Sequence, residues 1–291
     1  MIVKVVTGLL AVLTIYFGVF FLKDYYKAAK EGKLEKDTNF LVSGIIGMVI
    51  NFFDTLGIGS FAPLTAALRG FKQTRDRVLP GTLNVSCTIP VVVEALIFIT
   101  VIEVEPVTLF SMLISATVGA VIGAGIVSKL DEKKVQLAMA IALLVVAVTM
   151  LAGQLKLMPS GGDAIGLTGV KLVIAVVVNF FLGALMTLGI GLYAPCMALI
   201  SLLGMSPKIA YPIMMGSCAF LMPASATKFV KEEAYNRKAS MAITIFGCIG
   251  VFIAAYLVKS LPINILKWLV IVVIIYTSFT MFRAYSKPRT V

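Results

Sequence analysis

Long apolar stretches separated by short charged ones run along the whole chain. The uncharged runs 107–128, 135–153 and 239–258 are each long enough to cross a bilayer as a helix, which takes roughly 20 residues. Similar stretches lie at 5–22, about 78–100, 209–226 and about 263–282. Two more are interrupted: 40–56 breaks at Gly57–Gly59 and resumes at 61–68, and 172–188 breaks at Gly189–Gly191 and resumes at 194–203. This pattern predicts an all-α polytopic membrane protein. The first stretch has the length of a signal peptide but no small-residue cleavage site, and lysines follow it, so a retained helix is expected. Residues 23–38, polar and mixed in charge, read as an amphipathic connector.

The two interruptions are copies of one motif. Thr55-Leu56-Gly57-Ile58-Gly59-Ser60-Phe61-Ala62-Pro63 returns 132 positions later as Thr187-Leu188-Gly189-Ile190-Gly191-Leu192-Tyr193-Ala194-Pro195, with seven of nine letters identical. Gly-Ile-Gly lets a helix unwind, and Ala-Pro suits a restart, where proline's missing N–H is no loss. Smaller echoes follow: Gly81-Thr82 with Gly216-Ser217, Pro90 with Pro223, and 117–123 with 248–254. The expected organisation is an N-terminal helix and connector (1–39), repeat 1 (40–153), an inter-repeat loop (154–170) and repeat 2 (171–291). Each repeat comprises a broken helix and three spanning helices.

Loop charge chooses between topologies. If both broken helices are re-entrant and the N-terminus is outside, the inside segments 23–39, 69–77, 129–134, 227–238 and the tail hold 19 of the 25 basic residues. If both span fully, the split is 14 to 11. The positive-inside rule favours the re-entrant arrangement in a cell membrane, with the C-terminus cytoplasmic. Three spans per half then make the repeats inverted, the pattern of secondary transporters. One tension is that 172–188 could extend about 25 Å, long for half a hairpin.

Composition narrows the function. With 60% hydrophobic and 13% charged residues and a mean hydropathy of +1.03, a soluble domain is excluded. The net charge of +11 reflects basic loops rather than nucleic-acid binding. Cys87, Cys196, Cys218 and Cys248 all lie in apolar segments without a Cys-x-x-Cys pair, so neither a disulfide framework nor a metal site is expected. The absence of histidine removes His-based acid–base catalysis and haem ligation, and no metalloprotease or Gly-x-Ser-x-Gly motif is present. No enzyme and no cofactor are expected.

Candidate chemistry gathers at the breaks. A helix restarting at Ala62-Pro63 or Ala194-Pro195 points unpaired N–H groups and its positive dipole end toward the membrane centre, an anion site without a buried cation. The candidate site comprises Thr55, Gly57, Gly59, Ser60, Thr82, Thr187, Gly189, Gly191, Tyr193 and Ser217, with Ser86 a further hydroxyl; each hydroxyl has the competing option of bonding its own helix. Asp54, whose repeat counterpart is Met186, is either a protonatable coupling residue or a structural acid on unwound backbone. Glu94 is a weaker candidate, expected to snorkel to the outer face. Arg69, Arg75 and Arg77 obey the positive-inside rule, and one could guard a cytoplasmic mouth. Cys87 and Cys218 each follow a repeated Gly-Thr/Ser pair and read as small apolar residues, with a role toward a sulfur substrate as the alternative.

These motifs resemble the TauE/SafE family of sulfite and organosulfonate exporters. Gly57-Ile58-Gly59-Ser60 with Pro63, and Gly81-Thr82 after it, match the family core; Phe53-Asp54-Thr55 resembles the lead-in of its YfcA-like branch, and 228–238 its basic loop. The resemblance covers about 40–291, which leaves the first helix as an addition. Family members carry three or four glycines where this chain has Gly-Ile-Gly-Ser, and their Asn after Gly-Thr stands one place late, at Asn84. The resemblance implies a secondary carrier moving sulfite, sulfoacetate or a related small anion, and the sequence leaves monomer or homodimer open. Membrane potential, at about 2.3 kcal/mol per charge per 100 mV, would drive export, and protons would drive uptake. A non-transporting scaffold is the other reading.

Overall fold

A computed structural model describes residues 2–98, 104–157, 161–257 and 263–287, which form eleven α-helices and one short 3-10 turn. The expected boundaries at Thr100 and Val258, Glu103 and the end of the basic tail lie outside the described residues. Among the described residues, eight helices are long and apolar enough to cross a membrane, and the chain is a multi-pass α-helical membrane protein. Six of them are α4 (Leu79–Phe98), α5 (Pro106–Val127), α6 (Glu132–Gln154), α9 (Pro207–Lys231), α10 (Arg237–Leu257) and α11 (Ile263–Ser286). The seventh is α1 (Ile2–Lys30).

The first half of the expected connector after residue 22 is helix, because α1 continues to Lys30. Tertiary partners explain the extension. Phe17 and Phe21 are buried against Tyr235 and Phe229, while Asp24 takes an ion pair from Arg237 at 2.7 Å and a hydrogen bond from the Tyr235 hydroxyl. The opposite face of α1, including Val12, Ile15 and Val19, is exposed as a lipid-facing surface would be.

Both interruptions fold as helix–break–helix hairpins. Asn39 caps α2 (Phe40–Thr55) by accepting from the amides of Leu41 and Val42. After the glycine break, α3 (Phe61–Gly70) returns toward the start of α2. Gln73, just past α3, closes the hairpin: its carbonyl accepts from Thr38 Oγ1 at 2.8 Å, and its Oε1 accepts from the Asn39 amide at 2.8 Å. The second hairpin, α7 (Gly169–Met186) and α8 (Tyr193–Leu202), closes in the same way. Lys171 Nζ donates to the Leu203 carbonyl at 3.1 Å, and Ser206 N to the Ala164 carbonyl at 3.0 Å. α7 is the eighth helix with the length to cross, yet α8 brings the chain back to the end from which α7 started.

The halves pack as counterparts. α2 lies along α10 and α7 along α5; α4 meets α10 as α9 meets α5; α4 with α9 and α6 with α11 join across the middle. Glycines set a close approach in each half. A Cβ on Gly119 would stand 2.0 Å from the Phe180 carbonyl oxygen, and one on Gly250 would stand 2.1 Å from that of Met48. Nothing larger than glycine fits there, which is why 117–123 and 248–254 share small residues.

Hydrogen bonds collect the basic segments at one end. Glu35 accepts from the amides of Arg237 and Lys238, and Asn236 donates to Thr38 and to the Gln73 carbonyl. Asp76 pairs with Arg69 at 2.8 Å and accepts from Gln136 of α6. Arg69 also donates to Thr280 of α11, and Lys133 of α6 to the carbonyls of Ala284 and Tyr285. Glu105, Ile165, Leu167, Lys171 and Leu203 lie together at the other end. There the Thr108 hydroxyl, helped by the Thr108 and Val107 amides, holds the Glu105 carboxyl below its usual pKa.

Candidate functional site

The tips of the two hairpins meet at a small cavity of about 50 Å³, into which α3 and α8 present their first residues. The local backbone explains the exposed N-termini. The first helical bond of α3 runs from Leu64 N to the Ser60 carbonyl at 2.9 Å, and that of α8 from Cys196 N to the Leu192 carbonyl at 3.0 Å. The amides of Phe61, Ala62, Tyr193 and Ala194 therefore precede any turn that could use them. Neither Ser60 nor Leu192 caps its helix with a side chain.

Five of the expected site residues line this cavity: Asp54, Gly59, Ser60, Gly191 and Tyr193. Asp54, next to last in α2, is 2% exposed and lies beside the Ser60 hydroxyl and amide. Gly57 sits in the unwound turn at φ +89°, and Gly59 at φ +90°. The second break is not a copy in conformation. Gly189 has φ +101°, but Gly191 is outside the left-handed region. A Cβ on either cavity glycine would meet nothing within 4 Å.

The remaining expected residues are placed elsewhere. Thr55, at the edge, donates to the Asn51 carbonyl and stands beside Glu94. Thr82 bonds the Val78 carbonyl and accepts from Asn236 N, tying the start of α4 to that of α10. Thr187 bonds the Ala184 carbonyl of its own helix, and Gly189 packs on Met139 and Leu83. Ser217 accepts from Asn179 inside the α5, α7 and α9 packing. Ser86 faces Cys87 and the Leu83 carbonyl. A Gly-Thr/Ser pair in an apolar segment thus served helix packing here, not the cavity.

Glu94 does not snorkel. It is fully buried, with Oε2 accepting from the Tyr193 hydroxyl at 3.5 Å and Oε1 without a hydrogen-bond partner. Its distance from the helix end concealed that it faces inward. Asp54 and Glu94 are electrostatic neighbours, and neither takes part in an ion pair among the described residues. The rest of the wall is apolar and sulfur-bearing: Val91 and Val146, with Met150, Met186 and Cys218. Val146 and Met150 of α6 carry no polar signal that a sequence reading could have used. No cluster able to hold a metal is present among the described residues.

A second, larger hollow of about 1050 Å³ opens at the basic end, with Arg69, Arg75 and Asp76 in its wall. Of the three arginines considered for a mouth, Arg69 and Arg75 line this hollow, and the tether of Arg69 to Asp76 and Thr280 fixes the outer end of α3.

Two uncapped helix ends, a small cavity and two buried acids can bind a small anion and exchange protons with it. No curated protein and no solved structure matches the chain. The family model "Sulfite exporter TauE/SafE" matches residues 2–150 and 172–290. The first helix therefore lies within the match rather than being an addition to it, and the interval falls between the two hairpin-bearing halves. With nearly its whole length covered in this way, the chain belongs to the TauE/SafE sulfite exporter family.

Proposed function

We propose that this protein carries a small anion of the sulfite or organosulfonate class, bound midway through the membrane between the N-termini of α3 and α8. The observation that carries the reading is the convergence of two uncapped helix starts on one cavity of about 50 Å³. At roughly 10–15 Å³ per water measured this way, that is room for a few waters. A sulfite or a sulfonate head group suits it, and a nucleotide does not. Each helix end contributes on the order of 0.3–2 kcal/mol toward a single negative charge, with amide hydrogen bonds adding to it. Ser60 supplies a hydroxyl at the cavity wall, while Gly59 and Gly191 let the ligand approach backbone.

The two halves act as inverted repeats in the plasma or inner membrane. Their hairpins close at opposite ends, and the end that gathers the basic segments is cytoplasmic by the positive-inside rule. The N-terminus is then outside. A second reading, uptake of thiosulfate or a small carboxylate coupled to protons through Asp54, is favoured by the acid at the cavity wall. Binding of sulfite, sulfoacetate, isethionate, taurine, thiosulfate and acetate to the purified protein tests the site. Oxyanions should bind, and Ser60→Ala should weaken them only modestly. Binding of cations alone, or unchanged affinity in Gly59→Val, would place the site elsewhere.

A further inference from the structure

Resting on the anion-carrier reading, we propose that Asp54 and Glu94 both take up protons when the anion binds, so that one site loads an anion together with two protons. Three observations support it. First, both carboxyls are inside the protein, at 2% and 0% exposure, and neither is paired with a cation. The ionisable groups that face them are each other, Cys87 from α4, Tyr193 from α8 and Cys218 from α9. No Lys or Arg among the described residues of α2, α3, α6, α8, α9 or α10 is among their neighbours. Second, Glu94 Oε1 has no hydrogen-bond partner, and the carboxyl otherwise meets the Tyr193 hydroxyl at 3.5 Å and the neighbouring Thr55 hydroxyl. A hydrogen-bonded structural acid would have both oxygens satisfied; this one keeps an open oxygen on a carboxyl that touches Tyr193 of the cavity wall.

Third, these groups break the repeat. Asp54 stands where the second half has Met186, and the Tyr193 hydroxyl is what the second half adds to Phe61. A packing requirement of the fold would appear in both halves, and this cluster appears once. Two carboxylates and a bound anion would place three like charges around a small low-dielectric cavity, which nothing there compensates beyond the helix ends. Protonation removes two of them. The anion thus binds the doubly protonated site, and its release to a less acidic side frees both protons. Under an inward proton gradient this coupling favours uptake.

The test uses full-length protein in voltage-clamped proteoliposomes, with isethionate as the probe because its sulfonate stays ionised across the range. Protons that move are then the protein's own. We expect isethionate entry to acidify the lumen, and its Kd to rise with pH by up to about 100-fold per unit, the limit for two linked protons. Asp54→Asn and Glu94→Gln alone should each reduce that slope to about tenfold per unit, and the double variant should bind with flat pH dependence. Wild-type protein that binds isethionate without pH dependence or proton movement overturns the inference and leaves the carrier reading intact. A wild-type slope retained in Glu94→Gln also overturns it. If neither isethionate nor sulfite binds at any pH, the carrier reading itself fails. Should the variants not fold, the wild-type slope and proton flux decide alone.

Discussion

Gly59 and Gly191 occupy the same place in two nearly identical motifs, and replacing each with alanine should give opposite results for stability. Gly59 has φ +90°, where an L-residue costs about 1–2 kcal/mol. The added methyl meets no atom within 4 Å, so the whole penalty is backbone strain. At roughly 2–4 °C per kcal/mol, Gly59→Ala should melt roughly 2–8 °C below wild type. Gly191 is not left-handed and also has open space around it. Gly191→Ala should melt at or slightly above wild type, because restricting the unfolded chain is worth about 0.4–1 kcal/mol where the backbone is compatible. Both glycines line the cavity and a methyl on either meets only open space, so both variants should lose anion affinity, including the thermally unharmed one. Thermal melting in detergent with parallel binding of sulfite or isethionate checks the pair. Equal melting temperatures would refute the backbone argument, and normal affinity in Gly191→Ala would refute the placement of the ligand.

Three further outcomes are expected. Gly119→Ala and Gly250→Ala, whose Cβ atoms would stand 2.0 and 2.1 Å from carbonyl oxygens, should each destabilise by more than about 1–3 kcal/mol, read as lost yield or a large fall in melting temperature. Single cysteines placed in 69–77, 129–134 and 227–238 should all label from the cytoplasmic face of intact cells; labelling of 69–77 from outside would overturn the hairpin orientation. Glu105 has a lowered folded pKa, so its contribution is present above the unfolded value and lost as pH falls through the folded one. Melting measured from pH 5.5 down to 3 should therefore show a smaller acid loss in Glu105→Gln than in wild type.

The sequence carried the architecture well because its signals were local. Apolar run length marked the helices, and the repeated Thr-Leu-Gly-Ile-Gly marked both hairpins. Basic loops anticipated which segments lie together, and Asn236, Gln73 and Asp76 hold them there. What stayed hidden depends on partners. Identical letters at Gly59 and Gly191 adopt different backbone angles, and their neighbours differ: Ser60 and Asp54 in one break, Leu192 and Met186 in the other. The inward aim of Glu94 needed the position of Tyr193, and the structural duty of Thr82 needed that of Asn236. The helical extension of α1 needed Tyr235 and Arg237.

The Arg69 tether has a mechanical consequence. Through Asp76, Gln136 and Thr280 it fastens the outer end of α3 to α6 and α11 at once. The equivalent place in α8 is Ser201, too short to reach such partners. On the carrier reading, we therefore expect α8 rather than α3 to move when the ligand is exposed. Cross-linking α8 to α6 should freeze turnover, whereas cross-linking α3 to α11, already clamped by the guanidinium, should leave it running.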